Sequence, residues 1–268
     1  MNELDYSYFQ EKVFALTGID LSAYKSQQMH RRLDSFIARR APLSLAAYCQ
    51  TLEQDKSELK AFLDFLTINV SEFFRDTKQF QSLKDEVLPK LLQQSPELNI
   101  WSAACSCGQE PYSIAVILEE LCPYHKHRIL ATDIDDGALE RAKRGGPYMP
   151  ADLKNVPSRL LRWFFTKTEE GYWVKDRIKN AVEFRRHNLL CDSIEQGFDL
   201  VVCRNVVIYF TDRARNELYQ KIHRCLKQDG VLFVGGSEVM LRGNDMGFAS
   251  MCPSFYQKIP IRESAVIS

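Results

Sequence analysis

The sequence has no apolar run long enough to span a bilayer, and its opening "MNELDYSYFQEK" carries acids early. A membrane-spanning helix and a secretory or transit leader are therefore not expected, and a cytoplasmic protein is. Net charge is also missing: 35 Lys and Arg balance 35 Asp and Glu over 268 residues. No global field draws the chain to nucleic acid or to a membrane surface, so any electrostatic recognition must be local. Eight cysteines are present, but no C-x-x-C pair occurs and the five histidines do not join them at zinc spacing. No metal is expected. Several cysteines lie in apolar runs, such as Cys203 in "DLVVC" and Cys225 in "IHRCL", as reduced and buried thiols do. Internal repeats and low-complexity tracts are absent.

What is present divides in two. Residues 1–68 read as helices. "DYSYFQEKVFALTGIDL" has helical periodicity ending at Gly18. In "KSQQMHRRLDSFIARR", Met29, Leu33, Phe36 and Ile37 share one apolar face, and Arg32 and Arg39 share a neighbouring one. "LSLAAYCQTLEQD" and "SELKAFLDFLTIN" predict two further helices. From about residue 98 strands and helices alternate. "LNIWSA", "HRILATD", "VEFRRHNL", "FDLVVCRN", "VLFVGGSE" and "FYQKI" read as strands. "PYSIAVILEELC", "DDGALERAKRG" and "RARNELYQKIHRCLKQDG", the last ending at Gly230, read as helices. This succession predicts an α/β fold with a largely parallel, doubly wound sheet covered on both faces. Within it, "RWFFTKTEEGYWVKDRIKNAVEF" predicts a small antiparallel β subdomain at about 163–186. The expected organisation is a helical domain at 1–68, a linker and connecting helix at 69–97, and the α/β domain at 98–268.

In a doubly wound sheet, ligands bind beyond the carboxyl ends of the strands. The first such turn, in "WSAACSCGQEPYSIA", has the lone glycine Gly108, where a dinucleotide fingerprint has three. That suits a ligand without phosphates. Asp133 follows 25 positions later, at the end of "ILATD", where an acid accepts hydrogen bonds from ribose hydroxyls. An adenosine without phosphates but with a charged amino-acid tail is S-adenosylmethionine. Glu110, near the helix start, is placed to pair with the tail's ammonium group; a carboxylate there also suits the helix dipole. Asn188 follows one strand and Asn205 another, as candidates for the adenine edge and for the tail or substrate. A turn role capping backbone is the alternative for each. Cys105 and Cys107 are small lining residues on this reading, with a metal or redox role as the alternative.

"LTINVSEFFRD" (66–76), "IWSAACSCGQEPYSIA", "ILATDID", "HNLL", "FDLVVCRNVVIYF" and "GGSE", in that order, resemble the CheR-type chemoreceptor glutamate methyltransferases over nearly the whole chain. The resemblance implies a helical N-terminal domain that docks on receptors. It also implies a Rossmann-like methyltransferase domain with a small β subdomain. By position it assigns Asn69, Ser71, Arg75, Gly108, Glu110, Asp133, Asn188, Leu189, Asn205 and Val206 to S-adenosylmethionine, which leaves as S-adenosylhomocysteine. Arg75 and Tyr209 are implied at the methyl-transfer centre, with a structural ion pair and core packing as their respective alternatives. Two positions depart from the family: Cys107 stands where Thr is usual, and Gln109 where Glu is usual. Gln109 removes a charge from the cofactor rim, so weaker cofactor binding is expected, with Glu110 still present for binding to survive.

The implied reaction moves a methyl group to a glutamate side chain of a receptor's cytoplasmic helices. A glutamate with a pKa of about 4.3 is already ionised at pH 7, so no general base is needed. His30, His125, His127, His187 and His223 then need no catalytic role. Arg31, Arg32, Arg39 and Arg40 form a candidate docking face for acidic receptor helices, or simply a solvated face. The short "TKTEEGYW" turn resembles the pentapeptide-independent group, so tethering to a receptor pentapeptide is not expected. The competing functions are a catalytically weak cofactor-binding regulator and an N-methyltransferase acting elsewhere.

Overall fold

A computed structural model describes residues 3–261, and the outer ends of the two expected domains, 1–2 and 262–268, lie outside the described residues. The chain forms two compact units: residues up to Ile68 with Tyr209–Glu217, and Asn69–Ile208 with the chain from Leu218 onward.

The first unit holds α1 (Glu3–Thr17), α2 (Ser26–Ala38), α3 (Leu45–Gln54) and α4 (Lys56–Thr67). Ser44 caps α3 through Ala47 N, and Asp55 caps α4 through Ser57 N and Glu58 N, satisfying first-turn amides that have no helical partner. The predicted face of α2 is buried: Met29, Leu33, Phe36 and Ile37 join a core with Phe9, Val13, Tyr48 and Phe62. A segment distant in sequence completes this unit. Lys25 N donates to Tyr209 O (2.9 Å), Thr211 N donates to Ala23 O (2.8 Å), and Tyr24 meets Phe210 edge-on at 5.2 Å.

In the second unit, α5 (Thr77–Ser82) passes through a π-helical turn at Leu83–Val87 into α6 (Leu88–Gln94). The alternating elements follow: β1 (Asn99–Ala103), α7 (Gln109–Leu121), β2 (Arg128–Asp133) and α8 (Asp136–Arg144). Next come α9 (Ser158–Phe164), β3 (Phe165–Lys167), β4 (Tyr172–Val174), α10 (Asp176–Lys179) and β5 (Val182–Arg186). The chain continues through β6 (Phe198–Cys203), α11 (Asp212–Cys225), β7 (Leu226–Val234), β8 (Phe248–Cys252) and β9 (Phe255–Lys258). The main sheet has the order β5-β2-β1-β6-β7-β9-β8. The first five strands are parallel and the last two pair antiparallel. Residues of β6 are buried throughout, as a strand covered on both faces requires.

Three details differ from the sequence reading. The antiparallel ribbon is only β3 with β4; Val182–Arg186 instead joins the main sheet beside β2. The strand at Phe248–Cys252 was not anticipated; Ala249 and Ser250 alternate poorly with apolar neighbours, and the strand pairs only with β9. The last long helix ends at Cys225, not Gly230. There Leu226 pairs with Phe198, and Lys227 Nζ reaches both carboxylate oxygens of Asp199 at 2.8 and 2.9 Å. Asp199 Oδ2 also accepts from Asn99 N at 2.7 Å, so one buried carboxylate ties β1, β6 and β7 together. Replacing Asp199 with Ala leaves the Asn99 amide unpaired. We expect a loss of about 1–3 kcal/mol in urea unfolding, with cofactor affinity unchanged because these residues lie at the amino end of the sheet.

Candidate cofactor site

Ala103 pairs with both Thr132 and Cys203, and Cys203 pairs with Val234. Strands β1, β2, β6 and β7 therefore end level, and the loops that follow leave along one edge. The chain moves from β1 to β2 on one side and later adds β6 on the other. That switch point is where an open α/β sheet makes room for a ligand.

The loop after β1 is tightly bent. Ala104 and Ser106 have φ of 60° and 50°, and Gly108 has φ of 90°. Backbone held this way costs about 1–3 kcal/mol per non-glycine residue and persists only where the surroundings fix it. A Cβ on Gly108 would lie 3.0 Å from Ala142 Cβ and 3.1 Å from Tyr112 Cε2, so glycine is needed for closeness as well as for φ. Asp133 supplies much of the fixing. Its Oδ2 accepts from Ser106 N at 2.7 Å and its Oδ1 from Asp135 N at 3.0 Å. Ser106 Oγ donates to Asn69 Oδ1 (3.0 Å), and Asn69 Nδ2 donates to Asp135 Oδ2 (2.6 Å). Asn69 and Asp133, 64 positions apart, are thereby joined through Ser106 and Asp135.

The loop after β6 carries the other half. Arg204 is buried, with a side chain only 1% exposed. Its Nη1 donates to Glu110 Oε2 (3.2 Å), and Glu110 Oε1 accepts from Ser102 Oγ (2.8 Å). Its Nη2 serves Asp76 Oδ2, Gln79 Oε1 and the Arg75 carbonyl, at 2.8, 2.9 and 3.0 Å. Asn205 has φ of 59°, and its N donates to Glu238 Oε2 at 2.7 Å, which also accepts from Gly235 N at 2.7 Å. A Cβ on Gly235 would lie 2.7 Å from Glu238 Oε2 and 2.9 Å from Asn205 Nδ2. "GGSE" is therefore the support beneath Asn205.

The remaining expected residues are placed as follows. Ser71 is half-buried, and the Arg75 guanidinium turns back to donate from Nη1 to Val70 O at 3.0 Å. Asn188 folds its loop after β5, accepting from Leu190 N through Oδ1 and donating from its own N to Asp192 Oδ2. Leu189 is buried and Val206 half-buried. Tyr209 belongs to the first unit, where its carbonyl accepts from Lys25 N. The four arginines also differ from one another. Arg32 donates to Phe65 O at 2.6 Å and lies over the Phe65 ring, and Arg40 pairs with Glu58 and lies over Phe36. Arg31 and Arg39 are exposed, Arg39 donating to Ser35 O. Cys105 and Cys107 are buried, and burial pushes both thiols up, so they line the loop as thiols. Among the described residues, no group of three or more His, Cys, Asp or Glu side chains is gathered as for a metal ion.

Arg204, Glu238, Ser106 and Asp135 are the residues that sequence reasoning missed. Arg204 had a signal: a cation directly after the apolar run "LVVC" is buried with the strand end and must find carboxylates. Burial lifts Glu110 above the ordinary carboxylate range, an effect the Arg204 charge and the Ser102 hydroxyl oppose. Burial likewise lifts Asp133, opposed by the backbone amides around it. Two buried acceptors, Gln109 Oε1 and Glu238 Oε1, have no protein partner. A group rich in donors answers such a set, and ribose hydroxyls with an ammonium tail are donors of the right kind. The residues present therefore fit S-adenosylmethionine.

Residues 69–254 match the family described as CheR methyltransferase, SAM binding domain, and residues 4–67 match its all-alpha domain. The chain belongs to the CheR methyltransferase family. It is 40% identical over 257 residues to a chemotaxis protein methyltransferase of Listeria monocytogenes, covering 96% of this chain and 98% of that one. It is 34% identical to one from Borreliella burgdorferi, covering 90% of this chain and 89% of the other. Chemotaxis protein methyltransferase 1 of Pseudomonas aeruginosa is 35% identical, with coverage of 88% and 90%. This protein is thus an S-adenosylmethionine-dependent methyltransferase of the chemotaxis family.

Replacing Asp133 with Ala should weaken S-adenosylhomocysteine binding by about 10- to 100-fold, the loss of one or two hydrogen bonds to a charged group, while circular dichroism stays unchanged. Equal affinity in a calorimetric titration would remove Asp133 from the site. Its raised pKa has a second consequence. The native state keeps a proton that the unfolded chain has released, so this group's contribution to stability falls as pH rises from the ordinary carboxylate value through the raised one. Urea unfolding of the ligand-free protein should show Asp133→Asn gaining on the wild type across that window. A pH-independent difference would contradict the lifted pKa.

Proposed function

We propose that the protein methylates glutamate side chains on the cytoplasmic helices of chemoreceptors, giving glutamyl methyl esters. The observation that carries this reading is the similarity over both domains to chemotaxis protein methyltransferases. The chemistry of the site agrees. When bound, S-adenosylmethionine supplies a methyl group on a sulfonium sulfur, already activated as an electrophile. Asp133 would hold its ribose hydroxyls. Glu110, Gln109 and Glu238 offer acceptors for its ammonium end, and Asn69, Ser71, Asn188, Leu189, Asn205 and Val206 complete its surroundings. An ionised glutamate needs no base to attack, so the chain's work is orientation, which contributes roughly 7–11 kcal/mol at best.

On this reading Arg75 steers the incoming carboxylate. The helical unit at 1–68 docks on acidic receptor helices through Arg31 and Arg39, which are exposed. Arg32 and Arg40, engaged with Phe65 and Glu58, shape that face from within. The setting is the cytoplasm, where the receptor helices lie. The turn at Thr168–Gly171 is short, closed by Thr168 N donating to Gly171 O at 2.8 Å, and no pentapeptide tether is part of the reading.

Tritiated methyl transfer to receptor cytoplasmic fragments should give counts that mild base releases as methanol. Base-stable label would sink the glutamyl assignment in favour of N-methylation. In the same assay Arg75→Ala should lower turnover by about 100-fold or more, a size typical of lost orientation, with the fold preserved. Near-normal turnover would leave Arg75 a structural residue.

A further inference from the structure

The segment carrying Arg75 is held in a conformation that it would not choose alone. Phe74 and Asp76, on either side of Arg75, have φ of 52° and 62°. Neither is a glycine, and two successive turns of this kind around one arginine require outside restraint. Phe74 N donates to Ser113 Oγ at 3.0 Å, which fixes one side. On the other side the Asp76 carbonyl accepts from Gln79 N (2.8 Å) and Phe80 N (3.3 Å) at the start of α5, Gln79 Nε2 donates to Ser254 Oγ (2.8 Å), and one group, the Arg204 guanidinium, ties Arg75, Asp76 and Gln79 to the strand end. Its Nη2 binds the Arg75 carbonyl, the Asp76 carboxylate and the Gln79 amide oxygen. Its Nη1 binds Glu110 on α7. The Phe80 and Phe233 rings lie 5.2 and 4.6 Å from its Cζ, so the planar cation is packed as well as bonded.

From this we infer that Arg204 is the positioning residue of the methyltransferase site: it sets the backbone of Arg75 and orients the Glu110 carboxyl, and it acts on the reaction through those two residues. The inference rests on the reading that Arg75 works at the cofactor. A planar fork is required, because one guanidinium must reach two segments in opposite directions; a lysine ammonium is a point charge and serves only one. Arg204→Lys therefore keeps a cation near Glu110 while releasing the 75–79 segment. Asp76 and Gln79 are recruited by the same fork. Asp76 is half-exposed, with a side chain 45% accessible, so Asp76→Asn alters the segment side of the network without opening the core.

The test is a double-mutant cycle on the full chain, read in S-adenosylhomocysteine affinity by calorimetry and in turnover. Residues that act as a unit give non-additive effects. Arg204→Lys should lower affinity or turnover at least tenfold when Arg75 is present, and by less than twofold in the Arg75→Ala background. Amide hydrogen exchange of residues 73–80 should quicken in Arg204→Lys while the β1 and β6 amides keep their protection. Effects of equal size in both backgrounds, or no effect in either, would overturn the inference, as would unchanged exchange in 73–80. Should Arg204→Lys fail to fold, Asp76→Asn is carried through the same cycle, with the same non-additivity expected at smaller amplitude and its absence equally decisive. The affinity and exchange readouts need no acceptor. A protein that passes them but esterifies no glutamate would lose the glutamyl reading alone.

Discussion

The level ending of four parallel strands is the constraint on which the site depends. Because Ala103, Thr132, Cys203 and Val234 share one register, everything that follows them emerges along a single edge. The residues concerned are far apart in the chain: Glu110 lies in the first turn of α7, Asp133 ends β2, and Arg204 and Glu238 follow β6 and β7. Parallel pairing alone brings them together, since each right-handed crossover returns the chain to the same end of the sheet. At the opposite edge Asp199 bridges Asn99 and Lys227 and so ties the strands together.

Gathering acids at one edge has an electrostatic cost. Glu110 and Asp133 are both buried and both lifted by that burial, and Glu238 is near enough to Glu110 to push it further. Such groups stay charged only where donors or cations surround them. The chain uses two devices. Asp133 is fed by backbone amides of its own loop and of the loop after β1. Glu110 is fed by a hydroxyl and by Arg204. Both devices also stabilise bent backbone, so the donors that oppose the effect of burial on these carboxyls shape the loops as well. The buried ion pair is in this sense a device of geometry more than of stability.

The sequence disclosed most of the fold and roughly half of the site network. Gly108, Asp133 and Asn205 were readable as candidates because each stands at or soon after the end of a strand, where residue type and position carry meaning together. Met29, Leu33, Phe36 and Ile37 were readable because helical spacing puts them on one face. The rest depended on three dimensions. Arg204 reaches Asp76 across 128 positions and Glu110 across 94, and no local pattern encodes such a bond. The helix end at Cys225 is set by Phe198 and Asp199 on another strand, which overrides a helical pattern running on to Gly230. Val182–Arg186 has the alternation of a ribbon strand, yet it lies parallel to β2, because the short turn at Thr168–Gly171 already satisfies β3 and β4 with each other.

The glutamine at 109 can be understood in the same terms. Gln109 is 3% exposed, and its Oε1 has no protein partner. A glutamate at that point, the usual residue by resemblance, would set another buried carboxylate next to Glu110 in sequence, at an edge that already holds Asp133 and Glu238. Among the described residues one arginine, Arg204, is buried, and it bonds Glu110 there. A further like charge raises the pKa of its neighbours and would tend to protonate Glu110 or itself. The amide keeps an acceptor at the same place without that repulsion. It gives up the stronger, charge-assisted bond to a cationic ligand, but it adds no further like charge beside the Glu110–Arg204 pair. The substitution thus exchanges some attraction at the rim for electrostatic balance beneath it.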